Sequence, residues 1–182
     1  IALNNADDTA SLLAAEYEGG KSIQDTLTDL VATIGENMSI RRMEKLSVGK
    51  GVVASYVHNA LSPGLGKIGV LVALESEGDK DKLNALGKQI AMHVAAAFPK
   101  FLNIDSVDQG ELEHEKNIIA AEARESGKPE KIVEKMVEGR IRKYYEEVVL
   151  MEQIFVVDGE TKISKLLENA KGDVGAEVKL AG

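Results

Sequence analysis

Few side chains in this sequence have the chemistry to act on a substrate. The 182 residues contain three histidines and no cysteine. Thiolate nucleophiles, thiolate metal sites and disulfides are thereby excluded together. His58, His93 and His114 show no metal-ligand spacing, and no His-Glu-x-x-His string occurs. His58 closes an apolar run just before a loop, where recognition residues concentrate. His93 lies beside the apolar face of a long helical stretch and reads as a packed, hydrogen-bonded core histidine. His114 falls among charges and reads as solvated. No nucleophile elbow accompanies any of them.

Two glycine strings imitate phosphate loops. Gly64-Leu65-Gly66-Lys67-Ile68-Gly69 has the spelling of a dinucleotide fingerprint, but the mechanism needs those glycines to open a helix, and here they lead into a strand pattern. Ala15 to Ser22, ending Gly20-Lys21-Ser22, fits a relaxed phosphate-loop pattern. It starts inside a helical stretch and has too few glycines to aim backbone amides inward. No cofactor is expected, and the residues point to binding rather than bond chemistry.

The elements that must position these side chains can be read from composition and period. Hydrophobic residues make up 44% of the chain and charged residues 29%, ordinary for a globular domain with a buried core. Aromatics are only 4% and tryptophan is absent, so Val, Ile, Leu, Ala and Met must build that core. A net charge of −8 argues against direct binding of nucleic acid, because no basic field draws in phosphates. No apolar run approaches the roughly 18 residues of a membrane span, and no signal peptide is legible. The chain opens without an initiator methionine and reads as a processed product or a piece of a longer protein.

In chain order, residues 7–17 read as a short helix with an acidic start, closed by Gly19-Gly20. Ser22 to Ile34 reads as a second helix burying Ile23, Leu27, Leu30, Val31 and Ile34. Residues 39–46, 52–58 and 67–74 read as three strands of an antiparallel meander, the third apolar almost throughout and so central. Residues 59–66 form the loop between the last two. Asp79 to Phe98 reads as a long helix lying across the sheet on Leu83, Leu86, Ile90, Val94 and Ala97, with Pro99 ending it.

Glu111 to Glu147 reads as two charged helices hinged at Ser126-Gly127-Lys128-Pro129, the glycine suiting a left-handed helix end and the proline a first turn. One apolar stripe carries Leu112, Ile118, Ile119 and Ala123, and the other Val133, Met136, Val137, Ile141, Tyr144 and Val148. Four hinge residues force the helices antiparallel. The pairs Glu138–Arg142 and Lys143–Glu147 are expected to support the solvent faces. The narrow stripes leave two readings open, an arm whose helices cover each other and an arm that reaches a partner. Gly139 in mid-helix is either a close-packing position or a tolerated exposed glycine. Residues 151–157 read as extended, 161–170 as a short helix and 174–180 as an edge strand. The fold class expected is α+β, a three- to four-stranded antiparallel sheet packed on helices with an inserted helical hairpin. The divisions expected are a helical part at 1–38, sheet and long helix at 39–106, the hairpin at 107–150, and a return to the core at 151–182.

Several of these stretches resemble one family. Ile34-Gly35-Glu36-Asn37-Met38-Ser39-Ile40-Arg41-Arg42 resembles the "IGENxxxRR" signature of elongation factor Ts. Ser55-Tyr56-Val57-His58 with Ile68-Gly69-Val70-Leu71-Val72 resembles its next two strands. Gln89-Ile90-Ala91-Met92-His93-Val94-Ala95-Ala96 resembles its core helix. Ser126-Gly127-Lys128-Pro129 through Glu134-Lys135-Met136-Val137-Glu138-Gly139-Arg140 resembles its coiled-coil arm. Leu150-Met151-Glu152-Gln153-Ile154-Phe155-Val156 resembles the segment after the arm. These blocks are collinear and spread from residue 34 to 156.

The resemblance implies a guanine-nucleotide exchange factor, not an enzyme in the bond-making sense, whose partner is elongation factor Tu in the bacterial cytoplasm or an organellar matrix. By the family pattern the histidine ending the Ser-Tyr-x-His strand meets Tu, which places His58 in a partner-binding set with Tyr56 and Asn59. Residues 59–66 join by proximity alone. The alternative is a self-association module, because family members can dimerise through this region.

Two departures stand out. The family's N-terminal helical domain and its Thr-Asp-Phe-Val motif are not in this sequence. Thr28-Asp29-Leu30-Val31 imitates the motif, but its register makes it part of a core helix, so weak exchange is expected of this chain. Ile154 stands where the family commonly has proline, which would let residue 154 donate a backbone hydrogen bond.

Overall fold

A computed structural model describes residues 6–62 and 64–182, the side chain of Glu18 excepted. The chain forms two compact units, 1–47 and 48–182.

The first unit contains helices α1 (Thr9–Ala14) and α2 (Ile23–Ile34). α1 is shorter than its apolar pattern. Its acidic start is a capping residue, Asp8, whose carboxylate accepts the Ser11 N–H at 2.7 Å. After Ala15 the chain turns back on itself, with Tyr17 N–H donating to Lys21 C=O at 2.8 Å and Ile23 N–H to Ala15 C=O at 3.0 Å. α2 starts where expected, on the Ser22 cap. Its apolar face is not a buried one: no residue of the helix is buried, and Leu30 and Ile34 are 45% and 55% exposed. The expected strand at 39–46 does not form; residues 35–50 carry neither helix nor ladder. Consecutive Arg41 and Arg42, then Glu44 and Lys45, interrupt the period-two alternation that would have given a strand one apolar face.

The second unit holds the sheet. β1 (Gly51–His58) and β2 (Ile68–Glu75) pair antiparallel over their full length, from Gly51 opposite Glu75 to His58 opposite Ile68. β3 (Lys179–Leu180) pairs antiparallel with β2 through Leu74 and Glu75, so the order is β1-β2-β3 and the apolar β2 is central as expected. The third strand therefore comes from the C-terminus rather than from residues 39–46. Strand alternation points Val52, Ala54 and Tyr56 with Val70, Val72 and Leu74 toward helix α3 (Lys80–Ala97). Asp79 caps α3, its carboxylate accepting N–H groups of Asp81 and Lys82 at 2.9 and 3.1 Å. Leu83, Leu86, Ile90 and Ala91 are its buried face. Contact is close at Gly87, where an added Cβ would lie 2.6 Å from the Ala54 Cβ.

The hairpin is inserted as expected. α4 (Gln109–Glu125) and α5 (Glu130–Val148) are antiparallel, joined through Ser126 and Gly127, whose φ is +73°. Pro129 caps α5 instead of occupying its first turn. Leu112, Ile119 and Ala123 meet Val133 and Ile141 in the buried seam, while Ile118 stays on the solvent side. At the base, Val107, Leu112, Ile119, Ile141 and Val149 form a second apolar cluster with Phe101, Tyr144 and Tyr145 against it. Arg140–Glu122 and Arg124–Glu130 bridge the two helices. Of the two pairs expected along α5, Glu138–Arg142 forms at 3.7 Å and Lys143–Glu147 is not among the ion pairs of the described residues. Tyr144 O–H donates to Glu111 at 3.1 Å, and Lys100 pairs with the same carboxylate at 3.0 Å. Burial, then that carboxylate, pushes the Tyr144 hydroxyl up to about 12.

Beyond the arm the chain is not extended. A 3-10 turn at Leu150–Glu152 is followed by a bridge between Ile154 and Lys162. The Asp158 carboxylate accepts the N–H groups of Glu160 and Thr161, both at 3.0 Å, and closes the turn between them. The bridging bonds come from Phe155 N–H to Thr161 C=O and Ile163 N–H to Gln153 C=O, on either side of Ile154. Residue 154 donates nothing to that bridge, so a proline would be accepted there without losing either bond. α6 (Ile163–Val174) runs four residues past its expected end, and Val174 belongs to it rather than to an edge strand.

His93 is the packed core histidine that its position on the helix implied. It is fully buried, its Nδ1 accepts Val156 N–H at 3.3 Å, and Nε2 bonds Gln153 Oε1 at 2.9 Å. Burial holds its pKa below the usual histidine value, the bond to Gln153 opposing that shift. Among the described residues no buried side-chain polar atom lacks a partner.

Three outcomes follow from this packing. Gly87→Ala should destabilise the protein by about 1–3 kcal/mol, because β1 leaves no room for the methyl group; urea denaturation reads it. Gly139 has nothing within 4 Å of its added Cβ. Gly139→Ala should therefore stabilise by about 1 kcal/mol, seen as a raised Tm. An unfolded histidine takes up a proton below about pH 6.5, whereas native His93 resists it. Its contribution is complete above that pH and is lost as pH falls. Denaturation at pH 7.5 and 5.5 should show a smaller acid loss in His93→Gln than in the parent; equal losses would contradict this.

Candidate functional site

Of the three residues singled out on the second strand, β1 brings two together. Tyr56 and His58 are two apart on one strand and so share the face turned toward α3. Tyr56 packs against the main core, and its hydroxyl shares a 3.0 Å hydrogen bond with His58 Nδ1. The ring centroids are 6.0 Å apart and tilted by 49°. His58 is half-buried, held at Nδ1 by a residue the core itself fixes. Asn59 does not join them. It is exposed with φ of +49°, a left-handed conformation asparagine tolerates, and it turns the chain out of the strand.

The loop after Asn59 is tied across its base. Leu61 N–H donates to Leu65 C=O at 2.8 Å, and Leu65 N–H to Ser62 C=O at 3.0 Å. Pro63 lies outside the described residues. At Gly66 the returning chain presses on β1: an added Cβ would meet Val57 Cγ1 at 2.5 Å and the His58 carbonyl at 2.7 Å. Glycine is required there by proximity to the strand, not by any phosphate. The tie leaves Leu61 and Leu65 85% and 66% exposed, beside the histidine.

The long helix ends in a further exposed apolar side chain. α3 begins beside the Gly51–Glu75 end, where Ser76 N–H donates to Lys50 C=O at 3.2 Å, and it crosses Ala54 at Gly87. Phe98 caps the helix in a left-handed conformation and is 65% exposed. Sequence reasoning reached Leu61 and Leu65 only as part of the 59–66 loop, by proximity, and missed Phe98 as a surface residue. The available signal was large apolar side chains inside a glycine- and proline-rich loop and just before Pro99.

Chemically, this surface offers one imidazole, oriented by a phenol, among exposed apolar side chains. Among the described residues no group of His, Asp and Glu could hold a metal ion. The glycines at 64–69 run into β2 and not into a helix, so they cradle no pyrophosphate. At the other glycine string, Ser22 is spent capping α2 and Lys21 is held by Asp29 at 2.5 Å. His114 lies exposed on α4, away from any such cluster.

Comparison with known proteins agrees with the motifs. The family profile described as "Elongation factor TS" matches residues 1–181. The chain is 61% identical over 183 residues to an elongation factor Ts of Rhodospirillum centenum, with 100% of this chain and 60% of that protein covered. It is 60% identical over 183 residues to that of Paramagnetospirillum magneticum, covering 100% of this chain and 59% of the relative. With that of Rhodospirillum rubrum it shares 56% identity over 177 residues, 96% of this chain and 57% of the relative. The chain thus spans about 60% of the length of these relatives. On the profile, the identities and the collinear motifs together, the chain belongs to the elongation factor Ts family.

Proposed function

We propose that the chain is the core-and-arm part of a translation elongation factor that binds elongation factor Tu and promotes release of its GDP in the bacterial cytoplasm. The observation that carries this is the family membership along the whole chain, with the family's Ser-Tyr-x-His strand end intact as Ser55-Tyr56-Val57-His58. The mode of action is linkage, not catalysis. A protein that binds the nucleotide-free form of its partner more tightly than the GDP form must weaken GDP by the same factor. That mode needs a recognition surface and no reacting group, and the end of the sheet offers such a surface.

In this reading His58 and the leucines of its loop are the contact. Tyr56 acts behind them, holding the imidazole at Nδ1. Asn59 positions the loop through its left-handed turn. Weak exchange is expected of this span assayed by itself, because the Thr-Asp-Phe-Val motif of the family is not in it.

A pull-down and a GDP-release assay with purified elongation factor Tu test the proposal. The chain should retain nucleotide-free Tu, and His58→Ala or Leu61→Ser should each weaken retention by about 10-fold or more. GDP release should be slower than with a full-length relative. Equal retention by His58→Ala and the parent would remove His58 from the contact; no retention by any form would remove Tu as the partner.

A further inference from the structure

Within the second unit, the base of the arm and the core helix are joined by a chain of polar groups through otherwise apolar surroundings. His93 and Gln153 are the buried polar side chains among the described residues. Val156 N–H donates to His93 Nδ1, so the imidazole hydrogen must reside on Nε2. Nε2–H then donates to Gln153 Oε1 at 2.9 Å. At the other end of the same amide, Gln153 Nε2–H donates to the Glu147 carbonyl at 2.8 Å. That carbonyl lies in the last turn of α5, where helix carbonyls have no partner of their own. Each donor along the line therefore has one acceptor, running from His93 through Gln153 to Glu147.

The backbone of Gln153 is committed as well. Its N–H donates to the carbonyls of Val149 and Leu150, both at 3.2 Å, and its carbonyl accepts Ile163 N–H at 3.0 Å, at the start of α6. Residue 153 is thus bonded to the core helix, the end of the arm and the first turn of the returning helix at once. We propose that Gln153 is a latch through which His93 sets the angle of the arm on the core, its amide gripping the core histidine at one end and the last turn of α5 at the other. An amide suits this place because it accepts and donates from one rigid group. An ionised carboxylate cannot donate to Glu147, and a hydroxyl is too short to span the two partners. Turning the arm about its base breaks one of the two bonds and strands a polar group in the core, which has a high cost. The latch concerns the chain alone and does not depend on the partner assigned above.

The test uses the absence of cysteine in the whole chain. Spin labels at Lys88→Cys on α3 and Lys128→Cys at the arm's hinge, both exposed, report the arm's distance from the core by pulsed electron resonance. The parent should give one narrow distance distribution. Gln153→Met, of similar length and shape, should broaden it about twofold, because the arm loses its tether while the core keeps its packing. His93→Leu should broaden it as much, although the hydrogen bonds of His93 go to Gln153 and Val156 and not to the arm, and the double variant should be no broader than either single one. Amide exchange at Ala54 and Val72 of the sheet should stay slow in all variants. An unchanged distribution in Gln153→Met overturns the latch. Broadening in Gln153→Met without any in His93→Leu reduces Gln153 to a local helix cap and overturns the coupling. Equal acceleration of the sheet amides makes the effect a general loss of stability, which also overturns it.

Discussion

An arm of this length can be inserted into a small domain only if its two ends leave and re-enter the core at one place. Residues 100–102 and 148–151 supply that place. Lys100 and Phe101 N–H donate to Val148 C=O at 2.8 and 3.0 Å, while Leu150 N–H donates to Phe101 C=O at 2.9 Å and Met151 N–H to Leu102 C=O at 3.2 Å. These bonds close a long excursion whose closure entropy grows only slowly with length, so a few backbone bonds and a small apolar cluster hold it. Everything beyond the arm, including the turn at 153–162, helix α6 and strand β3, is placed by where this root delivers the chain. The third strand of the sheet depends on it too, since it arrives from the C-terminal side.

The arm itself is held differently from the core. Its seam is narrow, and its many charges form exposed pairs such as Arg140–Glu122 and Arg124–Glu130. Pairs of that kind contribute roughly 0–1 kcal/mol each and are screened by salt. The core instead stacks α3 on β1 and β2 with a close approach at Gly87, and among the described residues its buried polar side chains, His93 and Gln153, form a satisfied pair. A rigid body, a lightly held arm and a polar connection between them are thus three physically distinct regimes in one unit.

The surface at the end of β1 draws on the same economy of means. Tyr56 is a core residue with a polar tip, so the packing that fixes its ring also fixes the imidazole bonded to it. Gly66 brings the returning chain against β1 and leaves Leu61 and Leu65 outward. The residues proposed for recognition need no dedicated scaffold, because the sheet already supplies one.

Much of this was legible in the residues. The period-3.6 stripes located α3, α4 and α5, the Gly127–Pro129 hinge located the hairpin tip, and the apolar run at 67–74 marked the central strand, because helix and strand periods are local properties of the chain. His93 as a satisfied core histidine also followed from its place on α3. The strand expected at 39–46, next to β1, does not form, and the third strand comes instead from Lys179–Leu180 on the far edge of β2, a long-range pairing that no local pattern fixes. Leu30 and Ile34 show the same limit, since a stripe says which face is apolar and not what covers it. Family and arm were therefore determined by the sequence alone, through motifs that carry their own spacing. Only the tertiary structure decided that Gln153 joins His93 to α5, and that Lys179–Leu180 supplies the third strand beside β2. Both depend on residues far apart in the chain meeting in space, which no local pattern encodes.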